Sequence, residues 1–233
     1  DLWSFLVRAG SVAHVDRTAV LNTDGSAGAP SYPAAPTYAD VLQRVDGLAA
    51  GLSSLGVKAG DVVGILTPNR AETMEVHYAV GGSLRAVALN LNYRLSAAEL
   101  SYVLEDAGAT WVITDEVFVP LLNSAISRSS SLLRGIVTID TSPPAAATAA
   151  VVQQDADMPR DGSDVVAATM RQPYEDLVAQ GTSARAQGVG WLPVGEVQDS
   201  NIAGLACEMY YTSGTSGRPK GVQLSHRNVC VHA

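Results

Sequence analysis

The chain has 233 residues, 47% of them hydrophobic, enough for one large or two modest domains with a real core. Its 15 basic and 23 acidic residues argue against a broad surface for nucleic acid or anionic membrane, while leaving room for one local phosphate site. Apolar runs are short and broken by charge or glycine, with none near the roughly 20 residues of a membrane span, so the chain reads as soluble and globular.

Thr37 followed by Asp40 has the pattern of a helix N-cap with an acidic first turn. Apolar residues then recur at Val41, Leu42, Val45, Leu48, Ala49, Leu52 and Leu55, which predicts an amphipathic helix ended by Gly56. The run DVVGIL at 61–66 predicts a buried strand, and the Pro68-Asn69 turn follows it. A helix is expected over 71–80 and a strand over 86–90. Ser96 and Glu99 form a capping box for a helix whose apolar positions Leu100, Val103, Leu104 and Ala107 lead to Gly108. TWVITD at 110–115 is the next strand, 118–126 is read as helical despite Pro120, and GIVTID at 135–140 closes the series. Helices alternating with strands across short connections predict crossover units and a layered α/β domain built on a parallel sheet.

From 141 to 172 the pattern gives way to an alanine- and proline-rich stretch, read as a mobile surface insertion, with a marginal alanine helix as the alternative. The organisation expected is therefore a first α/β region over 1–140, the insertion over 141–172, and the start of a second region over 173–233. A short helix is expected over 174–180. Cys207 and Cys230 make neither a Cys-x-x-Cys pair nor a secreted framework, so they read as buried inert thiols in a reducing, intracellular compartment. The sequence begins at Asp1 with no charged-then-apolar leader, and 226–233 reads as the opening of a helix.

The densest motif is YYTSGTSGRPKGVQLSH, residues 210–226, expected to be a long hairpin with strands over 209–211 and 221–224. Gly214 and Gly217 permit close backbone approach to a ligand, and successive N–H groups in such a turn form an anion-binding concavity. Thr212, Ser213, Thr215 and Ser216 add uncharged donors, and Lys220 adds a point charge. That inventory suits phosphate oxygens, although a plain flexible hairpin loop accounts for the composition as well. The G-x-x-x-x-G-K-[ST] spacing fails, since Pro219 falls where its second glycine belongs and Gly221 follows Lys220. The G-x-G-x-x-G spacing fails too, and the loop enters a strand rather than a helix.

MYYTSGTSGRPKGV, with Ser225-His226 after it, resembles the AMP-binding signature of the adenylate-forming superfamily, which includes acyl-CoA synthetases and peptide-synthetase adenylation domains. Ser216 stands where the family more often has threonine, which keeps the hydroxyl. The likeness extends upstream through TYADVLQRVDGLAAGLSSLGVKAGDVVGILTPNRAE and NYRLSAAELSYVLEDAGATWVITDE, and the segment Asn90-Leu91-Asn92 favours a stand-alone CoA ligase. Val87 stands where many relatives have glycine, and 141–172 has no counterpart.

The resemblance implies an incomplete adenylate-forming fold. In that family a carboxylate attacks the α-phosphate of ATP to give an acyl-adenylate and pyrophosphate, and the CoA thiol then displaces AMP. It implies that Thr212, Ser213, Gly214, Thr215, Ser216, Gly217 and Lys220 bind the ATP phosphates, with Mg2+ bridging phosphate oxygens. It also implies a small-molecule carboxylic acid as partner, and catalytic motifs and a C-terminal domain outside this chain, which by itself would be inactive. A non-catalytic homologue that binds nucleotide weakly or serves as an interaction module is the alternative. Arg218 reads as a solvated charge, and Glu72, Glu75, Glu99, Glu105 and Asp106 as solvated helix faces. His14, His77, His226 and His232 lack zinc spacing, with His226 expected in a first helical turn behind a Ser225 cap, and the isolated Trp3, Trp111 and Trp191 give no stacking stripe for nucleic acid.

Overall fold

Two capping boxes set the frame in a computed structural model that describes residue 6 and residues 15–20, 35–128, 133–139, 170–188, 202–212 and 218–232. At the first, the Asp40 amide donates to Thr37 Oγ1 and the Thr37 amide to Asp40 Oδ2, opening helix α1 (Tyr38–Ser54). Gly56, at φ +84°, turns the chain toward strand β1 (Val62–Leu66). At the second, Ser96 and Glu99 start α3 (Ala97–Ala107), and Gly108 ends it in the left-handed conformation. Asp40 and Glu99 are both held below the usual carboxylate range, first by the backbone N–H groups of Thr37 and Ser96.

Between these helices run α2 (Ala71–His77), a π-helical turn (Tyr78–Ser83) and β2 (Val87–Asn90). The sequence predicts one helix over 71–80. The structure instead loosens the ladder so that the Leu84 amide bonds the Ala79 carbonyl five residues back. Gly81 explains the location, since a Cβ there would lie 2.8 Å from the Cys207 carbonyl. Strand β3 (Ala109–Asp115), a 3-10 turn (Glu116–Phe118), α4 (Val119–Ile126) and β4 (Gly135–Ile139) follow the expected order, with Pro120 accommodated in the first turn of α4. Then come β5 (Met170–Pro173), α5 (Tyr174–Ala186), β6 (Ala206–Thr212), β7 (Lys220–Ser225) and α6 (His226–His232).

The strands form one sheet in the order β5-β4-β3-β1-β2-β6-β7, with every pairing parallel except that of β6 with β7. The sequence draws boundaries at 140 and 172, yet this sheet takes strands from both sides of them. Residues 170–172, assigned to the insertion, belong to β5, while 141–169 lie outside the described residues. Helices α1, α2 and α5 cover one face over Val63, Ile65, Ile113 and Val137; α3 and α4 cover the other over Leu89, Val112, Ile136 and Met209. The result is three layers. The chain passes from β1 to β2 on one side and then to β3 on the other, so β1 lies where the strand order reverses.

Helix α5 is longer than the 174–180 expected. Its sequence has little amphipathic pattern because it packs on α1 through small residues. A Cβ on Gly181 would stand 1.9 Å from the Gly47 carbonyl oxygen and 2.6 Å from the Gly51 nitrogen. A buried polar network accompanies this contact and corrects the expectation for Glu72 and Glu75, which are 1% and 0% exposed rather than solvated. Arg44 bridges Glu75 at 2.7 Å and Glu175 at 2.8 Å, and the Tyr174 hydroxyl donates to Glu75 Oε2. Arg70 joins Glu72 at 2.9 Å to Asp115 at 2.5 Å. Burial pulls the Arg44 pKa down, but Glu175 and Glu75 outweigh it and the net shift is upward.

Gly181→Ala is expected to destabilise the chain by about 3 kcal/mol through overpacking, whereas Gly204→Ala, where an added Cβ meets nothing within 4 Å, stays near zero; urea unfolding reads both. Arg44→Met leaves Glu75 buried without its cation and costs about 3–5 kcal/mol. Glu175→Gln, at a side chain 31% exposed, costs less.

Candidate functional site: a hairpin loop for phosphate

Strands β6 and β7 form the expected hairpin, with Tyr210 opposite Val222, Tyr211 opposite Gly221 and Thr212 opposite Lys220. Thr212 and Lys220 are therefore brought together at the mouth of the loop, both exposed. Ser213, Gly214, Thr215, Ser216 and Gly217 lie outside the described residues. β6 continues the parallel sheet through the pairs of Ala88, Leu89 and Asn90 with Glu208, Met209 and Tyr210. The hairpin thus leaves the carboxyl end of the sheet, where open α/β sheets place their ligands.

Helix α3 braces the stems. The Tyr211 hydroxyl donates to Asp106 Oδ2 at 2.6 Å, and the Tyr211 ring meets Tyr102 edge-on with centroids 6.5 Å apart. The Tyr102 hydroxyl donates to the Pro219 carbonyl at 3.2 Å, and the Arg218 guanidinium lies 5.4 Å from the Tyr102 ring centroid. Asp106, expected on a solvated face, is thus a hydrogen-bond acceptor, and Arg218, though exposed, stacks on a ring. Burial, then Asp106, raises the Tyr211 pKa and keeps its hydroxyl a donor.

Beside the hairpin, a cleft of about 450 Å³ lies between α2 and β6, with Asn69, Thr73, Met74, His77, Glu208 and Tyr210 among its walls. Glu208 Oε1 sits 3.2 Å from His77 Nδ1, and Oε2 accepts from the Tyr210 hydroxyl at 2.8 Å. The His77 ring holds Glu208 below the ordinary carboxylate range, against the opposing effect of burial. Sequence reading passed over this cleft because its residues come from segments more than a hundred positions apart.

Cys207 is buried with its thiol pKa pushed up to about 12 by burial, as an inert thiol requires, while Cys230 is half-buried. Ser225 caps α6 with Asn228, and His226 opens that helix as expected. The His226 ring is almost wholly buried, and neither nitrogen has a hydrogen-bond partner. Among the described residues no cluster of three His, Cys, Asp or Glu side chains could hold a metal ion, and no helix is long and apolar enough to cross a membrane.

The AMP-binding enzyme family model matches residues 9–233. The chain belongs to the AMP-binding enzyme family. The chain is 29% identical over 234 residues to the long-chain-fatty-acid–CoA ligase of Thermus thermophilus, covering 100% of itself and 35% of that protein. It is 28% identical over 232 residues to 4-hydroxybutyrate–CoA ligase 2 of Metallosphaera sedula, covering 98% of itself and again 35% of the relative. Its fold matches the crystal structure of a long-chain-fatty-acid-CoA ligase from Archaeoglobus fulgidus, with TM-score 0.70, 19% identity and coverage of 99% and 37% of the two chains. It also matches an anthranilate CoA ligase in complex with anthranoyl-AMP, with TM-score 0.68, 23% identity and coverage of 97% and 35%. The chain spans about a third of the length of these relatives.

Burial depresses the His226 pKa to about 4. The native ring is then neutral where the unfolded one, with a pKa near 6.5, already binds a proton. Its contribution to stability is full above about pH 6.5 and is lost as pH falls toward 4. Unfolding measured from pH 7.5 to 4 is expected to show this loss, on the order of 2 kcal/mol, and His226→Gln to flatten it.

Proposed function

We propose that the chain is the N-terminal portion of an ATP-dependent acyl-CoA synthetase. In this reading Thr212, Ser213, Gly214, Thr215, Ser216, Gly217 and Lys220 hold the β- and γ-phosphates of ATP. The observation that carries it is the register of the hairpin. Thr212 and Lys220 pair directly across β6 and β7, so a hydroxyl and an ammonium share one face at the mouth of the loop. The intervening segment brings hydroxyl donors and two glycines whose backbone can approach an anion closely. Such donors stabilise the charge that moves onto pyrophosphate when a carboxylate attacks the α-phosphate.

Membership of the AMP-binding family and the CoA-ligase names of the relatives support an acid–CoA ligase, with a small-molecule carboxylic acid and CoA as the other substrates. Magnesium bound to the phosphate oxygens would offset their charge, and the described residues offer no protein cage of their own for it. The chain spans about a third of its relatives' length, which supports placing adenine recognition, the metal ligand and the C-terminal domain elsewhere in the parent protein. The isolated chain is then a nucleotide binder without ligase activity.

Calorimetric titration of Mg-ATP into the folded chain is expected to give weak binding that Lys220→Ala reduces about tenfold, the weight of one charge-assisted contact. Undiminished binding by the variant, or none by the wild type, overturns the phosphate-loop reading. Thioester formation from acid, ATP and CoA by this polypeptide alone overturns its assignment as an inactive portion.

A further inference from the structure

We propose that Tyr102 and Asp106 are positioning residues that clamp both stems of the phosphate loop, an inference that rests on the phosphate-loop reading. The two side chains stand four residues apart and share one face of α3. Asp106 holds the β6 stem through the hydroxyl of Tyr211, the residue next to Thr212. Tyr102 holds the β7 stem through the carbonyl of Pro219, the residue next to Lys220. Its ring also meets the Arg218 guanidinium, 5.4 Å from the ring centroid, and the Tyr211 ring edge-on. Each grip therefore falls one position from a proposed phosphate-binding residue, one on either side of the loop.

Helix α3 does not need these contacts to stay in place. Leu100, Val103 and Leu104 are buried in the core formed with Leu89, Val112 and Met209. The grips at Tyr102 and Asp106 are half-exposed or exposed additions that reach across 117 and 105 residues of sequence. Their loss leaves the helix packed and frees the stems. A loop held in its binding conformation for a smaller fraction of the time binds more weakly by that same fraction. Clamping is thus a contribution to affinity through preorganisation, made by side chains that touch no phosphate.

The test uses the 233-residue chain with Asp106→Ala, Asp106→Asn and Tyr102→Phe. It measures affinity for Mg-ATP and for inorganic tripolyphosphate, amide hydrogen exchange over 212–220, and Tm. Asp106→Ala and Tyr102→Phe are expected to weaken both ligands about five- to tenfold, quicken exchange over 212–220 and move Tm little. Asp106→Asn, which keeps an acceptor for the Tyr211 hydroxyl, restores most of the affinity. Unchanged affinity and exchange in both loss variants overturn the clamp. So does weakening that merely follows Tm, with Asn no better than Ala. Should the wild type bind neither ligand, the phosphate reading fails by itself, and exchange over 212–220 decides the clamp: quickened by the loss variants it stands, unchanged it falls.

Discussion

The parallel pairing of β2 with β6 is the interaction on which the arrangement depends. Ala88, Leu89 and Asn90 take Glu208, Met209 and Tyr210 as neighbours across more than a hundred residues of chain. This ladder carries the end of the chain back onto the sheet built by its first half. Closing so long a loop costs entropy that the local hairpin cannot recover alone. Burial of Met209 against the α3 and α4 layer, and of Cys207 beneath Gly81, supplies the return. Once β6 is seated, the position of the hairpin and the reach of α3 to both its stems follow from strand geometry.

Much of this was legible in the sequence because the signals were local. Thr37 with Asp40, Ser96 with Glu99, and Gly56 and Gly108 as stops are short-range devices whose chemistry does not depend on the rest of the chain. The hairpin was legible for the same reason. What the sequence hides is mostly long-range. Glu72 and Glu75 sit on a short helix and look like ordinary surface acids until Arg44, Arg70 and Tyr174 converge on them. Asp106 is exposed as its sequence context predicts, but its partner Tyr211 lies 105 residues away and is invisible locally. The sequence predicts a shorter α5 because Gly181 and its small neighbours weaken the helical pattern while making the close approach to α1 possible.

The paired charges add to an apolar core on one face of the sheet. Arg44, Glu75, Tyr174 and Glu175 tie α1, α2 and α5 together on one face, alongside a core that buries Val41, Val45, Leu48, Leu52 and Leu177. The opposite face, under α3 and α4, is likewise packed with leucine, valine and isoleucine, with Phe118 and Met209. Buried ion pairs with good geometry contribute less to net stability than to a unique arrangement, since any alternative packing strands a charge. Helix α2 carries both Glu75 of this network and His77 of the cleft, so the network bears on the helix that walls the cleft.

The two ends of the sheet differ in how they meet solvent. At one end β5 is four residues long and finishes in Pro173, with Arg171 tied to Glu116, so it presents little that another strand could copy. At the other end β7 is longer and largely exposed, with Val222 44% open, and among the described residues no strand pairs with its outer side. Its outward N–H and C=O groups form a template that Lys220 guards at only one tip. Self-association of the chain at high concentration would therefore begin by strand addition at β7, beside the loop proposed to hold phosphate.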